Sequence, residues 1–532
     1  MKSKINLSLF FLVLLMTVHL SAQKQPNIIL IMADDMGYSD IGCYGGEIKT
    51  PNLDGLANNG VRFTQFYNNS RCCPTRAALL TGLYPHQAGV GGMVGHGHGD
   101  LSKNAVTIAE ALKINGYATY MTGKWHVADS STKDDIHNWP IQRGFDKFFG
   151  TIKGAGSYFD PHTLTYNNDF VQLKPKDNFY YTDAISDSTV TFIDKHFKEK
   201  PNRPFFFYVA YTAPHWPLHA LPKDIAKYQG VFDKGWDALR KERLQRMKRL
   251  GVISSNAQLS PRSPRAKAWE EVEDKDWELQ RMMTYAAMID NMDQGIGRII
   301  EKLKGEGAFD NTLILFLSDN GGCAEQLEGV ERWVNNREIS ITLDGKKVTP
   351  GNQSKHMAGP ATSYMSYGPS WANLSNAPYR RFKKSGHEGG VVTPFIVHWP
   401  KGITMKNAIN NDLSSIIDVM PTLVEISSAS YPLEYNGNKI KPMEGVSLMP
   451  TVKGKRLDRD EWFMEHGRNK AYRKGDWKIA WSREKDGQEW ELFNLKDDPT
   501  ELNNLAALYP EKHKVMKDRW YDWAKEVKVI QK

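Results

Sequence analysis

The sequence predicts an α/β fold in which a mixed, mostly parallel sheet is flanked by helices, with a smaller antiparallel sheet near the C-terminus. Two observations favour the parallel sheet: short apolar runs rich in β-branched and aromatic residues, and helical patterns between them, such as that of residues 277–303. Such runs are typical of strands buried on both faces. The runs are residues 27–32, 117–121, 205–211 and 312–317.

Polar side chains follow each of these four runs. Because parallel strands have their carboxyl ends at one edge of a sheet, and ligands bind beyond that edge, we expect these side chains to form a single site. They are Asp34, Asp35, Lys124, His126, His215, Asp319 and Asn320. A lone histidine or lysine is more often an ordinary solvated side chain, so the prediction depends on their joint placement.

The character of the chain changes after about residue 407. Apolar runs at residues 477–481 and 490–493 flank turn residues, a pattern typical of a hairpin, and a final helix is expected over residues 504–527. Another strand is expected over residues 391–397. The expected division is a targeting segment (1–22), a catalytic domain (23–406) and a C-terminal α+β subdomain (407–532).

The first residues have the features of a signal peptide. Lys2 and Lys4 precede a mostly apolar stretch, and small residues follow it at positions 21–22. A transmembrane anchor is the alternative, but the stretch is short and is interrupted by polar residues. We therefore expect an exported bacterial protein, periplasmic or secreted, with no stable membrane insertion after the signal peptide is cleaved.

Composition excludes some classes of partner. The 532-residue chain has a formal net charge of +8 and no dense lysine–arginine patch interleaved with aromatic residues, so nucleic acid is not expected. The modest positive charge suits polyanionic partners. The four cysteines do not suggest a disulfide framework. The highly charged stretch 234–275 is interpreted as a solvated surface insertion.

Residues 72–82, Cys-Cys-Pro-Thr-Arg-Ala-Ala-Leu-Leu-Thr-Gly, form the most informative segment. The first turn of a helix accepts a proline such as Pro74, so Cys72 is expected at a helix N-terminus, where backbone N–H groups favour an anion. Arg76, one turn further, can hold the oxygens of such an anion. A vicinal disulfide between Cys72 and Cys73 is the structural alternative, but it explains none of the residues that follow.

Hard oxygen ligands stand at two of the predicted strand ends. Asp34, Asp35, Asp319 and Asn320 form a set that suits Ca²⁺ or Mg²⁺ better than zinc. Each pair also has an ordinary alternative, because Asp-Asp can cap a helix and Asp-Asn-Gly-Gly is often a turn. The two pairs together favour a metal site.

Residues 72–82 fit the pattern Cys-x-Pro-x-Arg-x-x-x-x-Thr-Gly, which resembles the signature of type I, arylsulfatase-like sulfatases of the alkaline phosphatase-like superfamily. The resemblance extends over residues 26–505. Its further landmarks are residues 34–45, 123–126, 418–422, 445–450 and 490–493. It implies an α/β catalytic domain with a smaller C-terminal subdomain, and conversion of Cys72 to formylglycine (3-oxoalanine) by a formylglycine-generating maturation enzyme.

The resemblance also implies the reaction and the roles of the residues. A sulfate monoester would be hydrolysed to alcohol and inorganic sulfate through the gem-diol of formylglycine at position 72. The resemblance implies a single Ca²⁺ beside residue 72, held by Asp34, Asp35, Asp319 and Asn320. It implies that Arg76 and Lys124 contact formylglycine or sulfate. It also implies that His126 acts as base, that His215 acts as general acid, and that Lys383 lies at the leaving oxygen. Lys384 is the alternative if the register of that motif slips.

Two other functions remain open, and the substrate is only an expectation. The chain could be a phosphonate monoester or phosphodiester hydrolase with the same formylglycine, or a non-catalytic protein that binds sulfated glycans. Val392 stands where the family often has arginine, which bears on local packing or on the shape of the substrate. We expect a sulfated carbohydrate of the galactose type as substrate. Candidate sugar contacts are His96, His98, His387 and residues 157–162.

Overall fold

The computed structural model describes residues 25–95, 99–329, 340–484 and 489–529. The predicted signal peptide, residues 1–22, lies outside these ranges. Across the described ranges, none of the helices is both long and apolar enough to cross a membrane.

The strands form one large sheet and three small ones. They are β1 (Asn27–Ala33), β2 (Val61–Tyr67), β3 (Ala118–Lys124), β4 (Lys147–Thr151), β5 (Leu164–Tyr166), β6 (Asp169–Phe170), β7 (Phe205–Ala210), β8 (Thr312–Ser318), β9 (Thr349–Pro350), β10 (Ser363–Tyr364), β11 (Val392–His398), β12 (Ala408–Asn410), β13 (Ser414–Ser415), β14 (Glu434–Tyr435), β15 (Asn438–Lys439), β16 (Glu461–His466), β17 (Asn469–Lys474), β18 (Trp477–Trp481) and β19 (Glu491–Asn494).

The large sheet has the order β12-β2-β11-β8-β1-β7-β3-β4-β5-β6, and β13 also pairs with β2. Its centre, β8-β1-β7-β3, is parallel throughout and consists of the four runs that the sequence predicts as strands. The predicted strand at 391–397 is β11, which runs antiparallel to β8 and β2. The predicted fold class, a mixed and mostly parallel sheet flanked by helices, is confirmed.

Helices cover both faces of this sheet. They are α1 (Pro51–Asn58), α2 (Cys72–Thr81), α3 (Pro85–Ala88), α4 (Ile108–Ile114), α5 (Tyr181–Glu199), α6 (Pro222–Ile225), α7 (Gly235–Leu250), α8 (Lys275–Gly305), α9 (Gly368–Ser375), α10 (Glu388–Val391), α11 (Val419–Ile426), α12 (Met449–Val452) and α13 (Pro510–Glu526). The predicted long helix is α8, and the predicted final helix is α13.

Two hydrophobic cores lie on opposite faces of the large sheet. Ile29 and Ile31 of β1 enter the core shared with α5 and α8. Ile28 and Leu30, which point the other way, enter the core shared with α2. Because side chains alternate along a strand and both faces are covered, β1 must be apolar at every position, as its sequence is.

The charged stretch 234–275 is not the solvated insertion that the sequence predicts. It begins with α7, whose Trp236 and Met247 are buried in the core. Arg243 of the same helix is fully buried, and its Nη1 lies 3.0 Å from Asp40 Oδ1. The prediction is wrong because some of the charged residues form buried ion pairs, which composition alone does not reveal.

The C-terminal region contains the predicted antiparallel sheet, with the order β16-β17-β18-β19 and with α13 in contact with it. The predicted hairpin is the pair β18 and β19. Along the chain, β12 and β13 precede the C-terminal sheet, and both pair with β2 of the large sheet. The boundary expected at residue 407 stays a prediction.

Candidate active site

The carboxyl ends of β1 and β8 bring the four oxygen-bearing residues together. Ala33 pairs with Ser318 across the two strands, so the residues that follow each strand lie side by side. The backbone N–H of Asp35 donates to Asp319 Oδ1 over 3.1 Å, and Asn320 Nδ2 donates to Asp35 Oδ1 over 2.7 Å. All four residues, Asp34, Asp35, Asp319 and Asn320, are buried.

Two basic side chains from other elements form ion pairs with the carboxylates of these residues. Lys124, the last residue of β3, donates from Nζ to Asp34 Oδ2. Arg76 Nη2, from α2, lies 3.0 Å from Asp319 Oδ2 and 3.6 Å from Asp34 Oδ2. Burial favours neutral Asp34, but the nearby positive charges, Lys124 foremost, prevail and lower its pKa to about 2. Burial, together with the charge of Asp34, raises the pKa of Asp319 well above its usual range.

Residue 72 begins helix α2, as predicted from Pro74, and its side chain is buried. The encoded thiol stands here in place of the formylglycine oxygens that the sequence leads us to expect. Ligand atoms of Cys72, Cys73 and His126 all lie within 4.8 Å of one another. The side chain of residue 72 therefore lies close to a histidine.

His126 is held in a fixed position beside residue 72. It lies just beyond β3 with a positive φ of 57°, and its ring packs on Gly154, where a Cβ would come within 2.2 Å of Cε1. Its Nε2 is 3.3 Å from Cys73 Sγ. Burial and then the charge of Lys124 lower the pKa of His126 to about 4, so the ring is neutral and can accept a proton.

His215 and Lys383 form a second pair. His215 Nδ1 lies 2.6 Å from the carbonyl oxygen of Trp216, so Nδ1 donates there. His215 Nε2 then lies 3.4 Å from Asp35 Oδ2 and 3.5 Å from Lys383 Nζ, which itself donates to Asp35 Oδ2 over 2.8 Å. Lys384 instead pairs with Glu325. The structure thus places Lys383, rather than Lys384, against the oxygen-bearing group.

Comparison with known proteins agrees with this geometry. A family model described as Sulfatase matches residues 26–428, and one described as N-sulphoglucosamine sulphohydrolase, C-terminal, matches residues 379–525. The chain belongs to the sulfatase family. Its fold is that of the alkaline phosphatase-like superfamily, and it is a sulfuric ester hydrolase.

Relatives match this sulfatase along most of its length. An arylsulfatase of Klebsiella aerogenes is 36% identical over 454 residues, 81% of this chain and 92% of the relative. An uncharacterised sulfatase of Schizosaccharomyces pombe is 33% identical over 543 residues, 95% of each chain. The crystal structure of Ps i-CgsB in complex with k-i-k-neocarrahexaose is 26% identical, with a TM-score of 0.67, over 94% of this chain and 93% of that one.

The sulfatase site opens into a cavity of about 680 Å³. Cys72, His126, His215 and Lys383 line it together with the whole of the segment 151–157 and with residues 161–163. Part of the predicted sugar-contact loop, 157–162, therefore forms its wall. Residue 72 is therefore accessible from this cavity.

One predicted sugar contact is wrong, and two lie outside the described residues. His387 is fully buried, with Nε2 2.7 Å from Glu491 Oε2 and Nδ1 3.0 Å from Ser385 Oγ, so it cannot touch a sugar. His96 and His98 belong to the segment that the structure does not describe.

The sequence analysis missed several side chains of the cavity wall, among them Glu325 and Trp216. Glu325 accepts a hydrogen bond from Trp216 Nε1 over 3.0 Å and pairs with Lys384. Trp216 also packs against the ring of His215, with centroids 4.6 Å apart. Trp216 could have been found, because it follows His215 directly. Glu325 had no signal beyond standing five residues after Asn320.

The oxygen-bearing group fits a hard divalent cation. Ligand atoms of Asp34, Asp35 and His215 lie within 4.8 Å of one another. Asp34 Oδ1 and Asn320 Oδ1 are buried and have no hydrogen-bond partner among the described residues. Buried polar atoms are normally satisfied, so these two oxygens are suited to bind a cation.

Proposed function

We propose that this sulfatase is an exported enzyme that hydrolyses sulfate monoesters of glycans, using formylglycine at position 72 and one Ca²⁺. The observation that carries the proposal is the meeting of residue 72, three carboxylates, two histidines and three cations in one buried cluster, of which residue 72, both histidines and Lys383 line a cavity. The Sulfatase family model supports the reaction. The sequence features of residues 1–22 support export.

Asp34, Asp35, Asp319 and Asn320 would hold the cation. The unpartnered Oδ1 atoms of Asp34 and Asn320 support this assignment. When bound, Ca²⁺ would supply positive charge beside the sulfate oxygens. Arg76 and Lys124, already adjacent to Asp34, would add fixed positive charge where negative charge develops on those oxygens.

Once hydrated, formylglycine supplies two hydroxyl groups on one carbon, one to attack sulfur and one that allows sulfate to be expelled. Neutral His126 is placed to take a proton from a hydroxyl group of residue 72. His215 Nε2 and Lys383 Nζ lie 3.5 Å apart, and both residues line the cavity, so this pair can deliver a proton to the departing alcohol oxygen.

A glycan is the proposed substrate class. Ps i-CgsB, the related structure with 26% identity, was solved with a neocarrahexaose bound. The cavity of about 680 Å³ is within the size that ordinary small-molecule sites have, so it can accept a sugar residue.

The test is sulfate release from monosaccharides that are sulfated at single known positions. Protein matured by a formylglycine-generating enzyme should cleave at least one regioisomer in the presence of Ca²⁺. Cys72→Ser should lose turnover and accumulate sulfated protein, because serine has no second hydroxyl to expel sulfate. Cys43→Ala is the matched control, because this buried cysteine does not line the cavity.

Mass spectrometry of the peptide that contains residue 72 distinguishes an aldehyde from a thiol. Faster hydrolysis of phosphonate monoesters or phosphodiesters than of any sulfate ester would contradict the proposed function. Cation binding is tested separately: Ca²⁺ should raise the thermal midpoint of chelator-treated protein, and this increase should be lost in Asn320→Ala.

A further inference from the structure

A second cavity, of about 430 Å³, adjoins the catalytic one. The two cavities share four lining residues, so they form one continuous depression. The shared residues are Arg71, Glu325, Lys383 and Lys384. A substrate with its sulfate at residue 72 can therefore extend past Arg71 into the second cavity.

The lining of the second cavity is strongly cationic. Its lysine and arginine side chains are Arg71, Arg265, Arg381, Lys383, Lys384 and Arg483, against the two acids Glu325 and Glu484. Lys384 pairs with Glu325, and Arg381 Nη1 lies 2.6 Å from Glu484 Oε2. The two acids therefore already have basic partners within the cavity wall.

Two arginines of the lining, Arg71 and Arg265, make no salt bridge among the described residues, although the charge of Glu325 acts on Arg71 from further away. Arg71 Nε donates to Met93 Sδ over 3.1 Å, and Arg265 Nη2 donates to the carbonyl oxygen of Ala324 over 2.9 Å. Neither contact neutralises a guanidinium charge. Arginine presents several N–H donors in a planar fork that matches the oxygens of sulfate or carboxylate.

We propose that the second cavity binds an anionic substituent on the sugar next to the one that is desulfated. This inference rests on the proposed function and narrows it: the substrate is a glycan with negative groups on neighbouring residues. The group bound in the second cavity is an oxyanion, which either a sulfate ester or a uronate carboxylate can supply.

Arg265 is the best position for a test, because it lines the second cavity and not the catalytic one. The probes are a disaccharide sulfated only at the cleaved position and the same disaccharide with a second sulfate on the neighbouring sugar. The wild-type enzyme should show the lower KM for the disulfated probe. Loss of one charge-assisted hydrogen bond in Arg265→Gln should reduce that preference about tenfold, mainly through KM.

Arg249→Gln is the matched control, an exposed arginine of α7 that lines neither cavity, and it should keep the wild-type preference. A third probe, with a uronate in place of the second sulfate, tells the two sources of the anion apart. The proposal would be overturned if the wild-type enzyme showed no lower KM for the probes that carry a second anionic group. It would also be overturned if Arg265→Gln kept the wild-type preference.

A binding measurement separates this inference from the proposed function. Calorimetry with Cys72→Ala protein and the disulfated disaccharide needs no turnover. Binding that Arg265→Gln weakens about tenfold supports the second cavity as an anion site even if no sulfate is released from any probe, a result that would contradict the proposed function alone. Equal binding by both proteins contradicts the second cavity.

Discussion

The charged side chains of the candidate active site form ion pairs with one another. Asp34 faces Lys124 and Arg76, and Asp35 faces Lys383. Each of these groups is buried, so a charge left without its partner would carry a large desolvation cost. The loss of a single cation should therefore have a large effect on the function of the site.

The neighbouring lysines 383 and 384 provide a matched pair of variants. Lys383→Met should lower kcat for an aryl sulfate by about 10²–10³-fold, because it removes a fixed charge from the reacting centre. Lys384→Met removes a lysine whose side chain is 41% exposed and should lower kcat less than about tenfold. Steady-state kinetics of both variants would show the assignment to be wrong if Lys384→Met had the larger effect.

Buried neutral histidines should make stability depend on pH. His219 Nε2 lies 2.6 Å from the carbonyl oxygen of Ser363, Nδ1 accepts from the N–H of Tyr158 over 3.3 Å, and burial lowers the pKa of His219 to about 4. In the unfolded chain the pKa is about 6.5, so the unfolded state takes up the proton first as pH falls. The stabilisation is therefore complete above pH 6.5 and is lost between about pH 6.5 and 4.

The expected contribution of His219 is about 1.4 kcal/mol of unfolding free energy per pH unit in that window. Urea unfolding between pH 5 and 7 should show a shallower pH dependence for His219→Gln than for wild type. His356→Gln, an exposed histidine, should keep the wild-type slope. Parallel curves for wild type and His219→Gln would contradict the assignment.

At the scale of elements, the end of β3 depends on glycine. Gly123 has a φ of +98°, and a Cβ there would lie 1.9 Å from the carbonyl oxygen of Ala210 on β7. On the other side, a Cβ on Gly150 of β4 would lie 1.9 Å from the carbonyl oxygen of Gly123. The strand can therefore remain paired with β7 up to Gly123 and with β4 up to Lys124 only because these residues have no side chains.

Gly123→Ala should destabilise the fold by more than about 3 kcal/mol, because it combines a left-handed backbone with a clash against a central strand. Gly116→Ala is the matched control: its φ is +88°, but no atom lies within 4 Å of the added Cβ. It should cost only about 1–2 kcal/mol. Chemical denaturation of both variants measures the difference, and equal losses would exclude the clash as the cause.

The positions of the four central strands could be predicted from the sequence, and only the end of β3 differs from the predicted run by more than one residue. Residues 117–121 form an apolar run, yet β3 continues to Lys124 because Gly123 pairs with Ala210 and Gly150. Helix α7 was not predicted, again because contacts with distant parts of the chain decide where its side chains lie. Its charged residues include Arg243, which is satisfied by the distant acids Asp40 and Glu47.

At the scale of the whole molecule, a buried ion cluster joins the antiparallel sheet to the catalytic region. Lys478 Nζ of β18 lies 2.5 Å from Glu388 Oε1 of α10 and 2.7 Å from Glu501 Oε1. Glu388 also accepts from the hydroxyl of Tyr67 on β2 over 2.9 Å. Helix α10 closely follows Lys383, so this cluster helps to fix the segment that supplies the lysine.

Lys478→Met should lower the free energy of unfolding by about 3–5 kcal/mol, because it leaves two buried carboxylates without their cation. The control is Lys474→Met on the adjacent strand, where the lysine side chain is 57% exposed and the loss should stay below about 1 kcal/mol. Urea titration measures both. A loss for Lys478→Met no greater than that of the control would show that the cluster does not stabilise the fold.

The sequence alone determined the fold class, the helix that begins at Cys72, and the residues that follow the four central strands. It could do so because these features are local: an apolar run, a proline in a first turn, and polar residues directly after a strand. The family resemblance rests on the same kind of local pattern, above all on residues 72–82.

Only the tertiary structure decided between Lys383 and Lys384, joined the two cavities at Arg71 and Glu325, and placed Gly154 against His126. These features depend on contacts between distant parts of the chain, such as Lys383 with Asp35, which are 348 residues apart. Such contacts are set by how the strands are ordered and how the loops cross them. No local pattern of residues encodes that order.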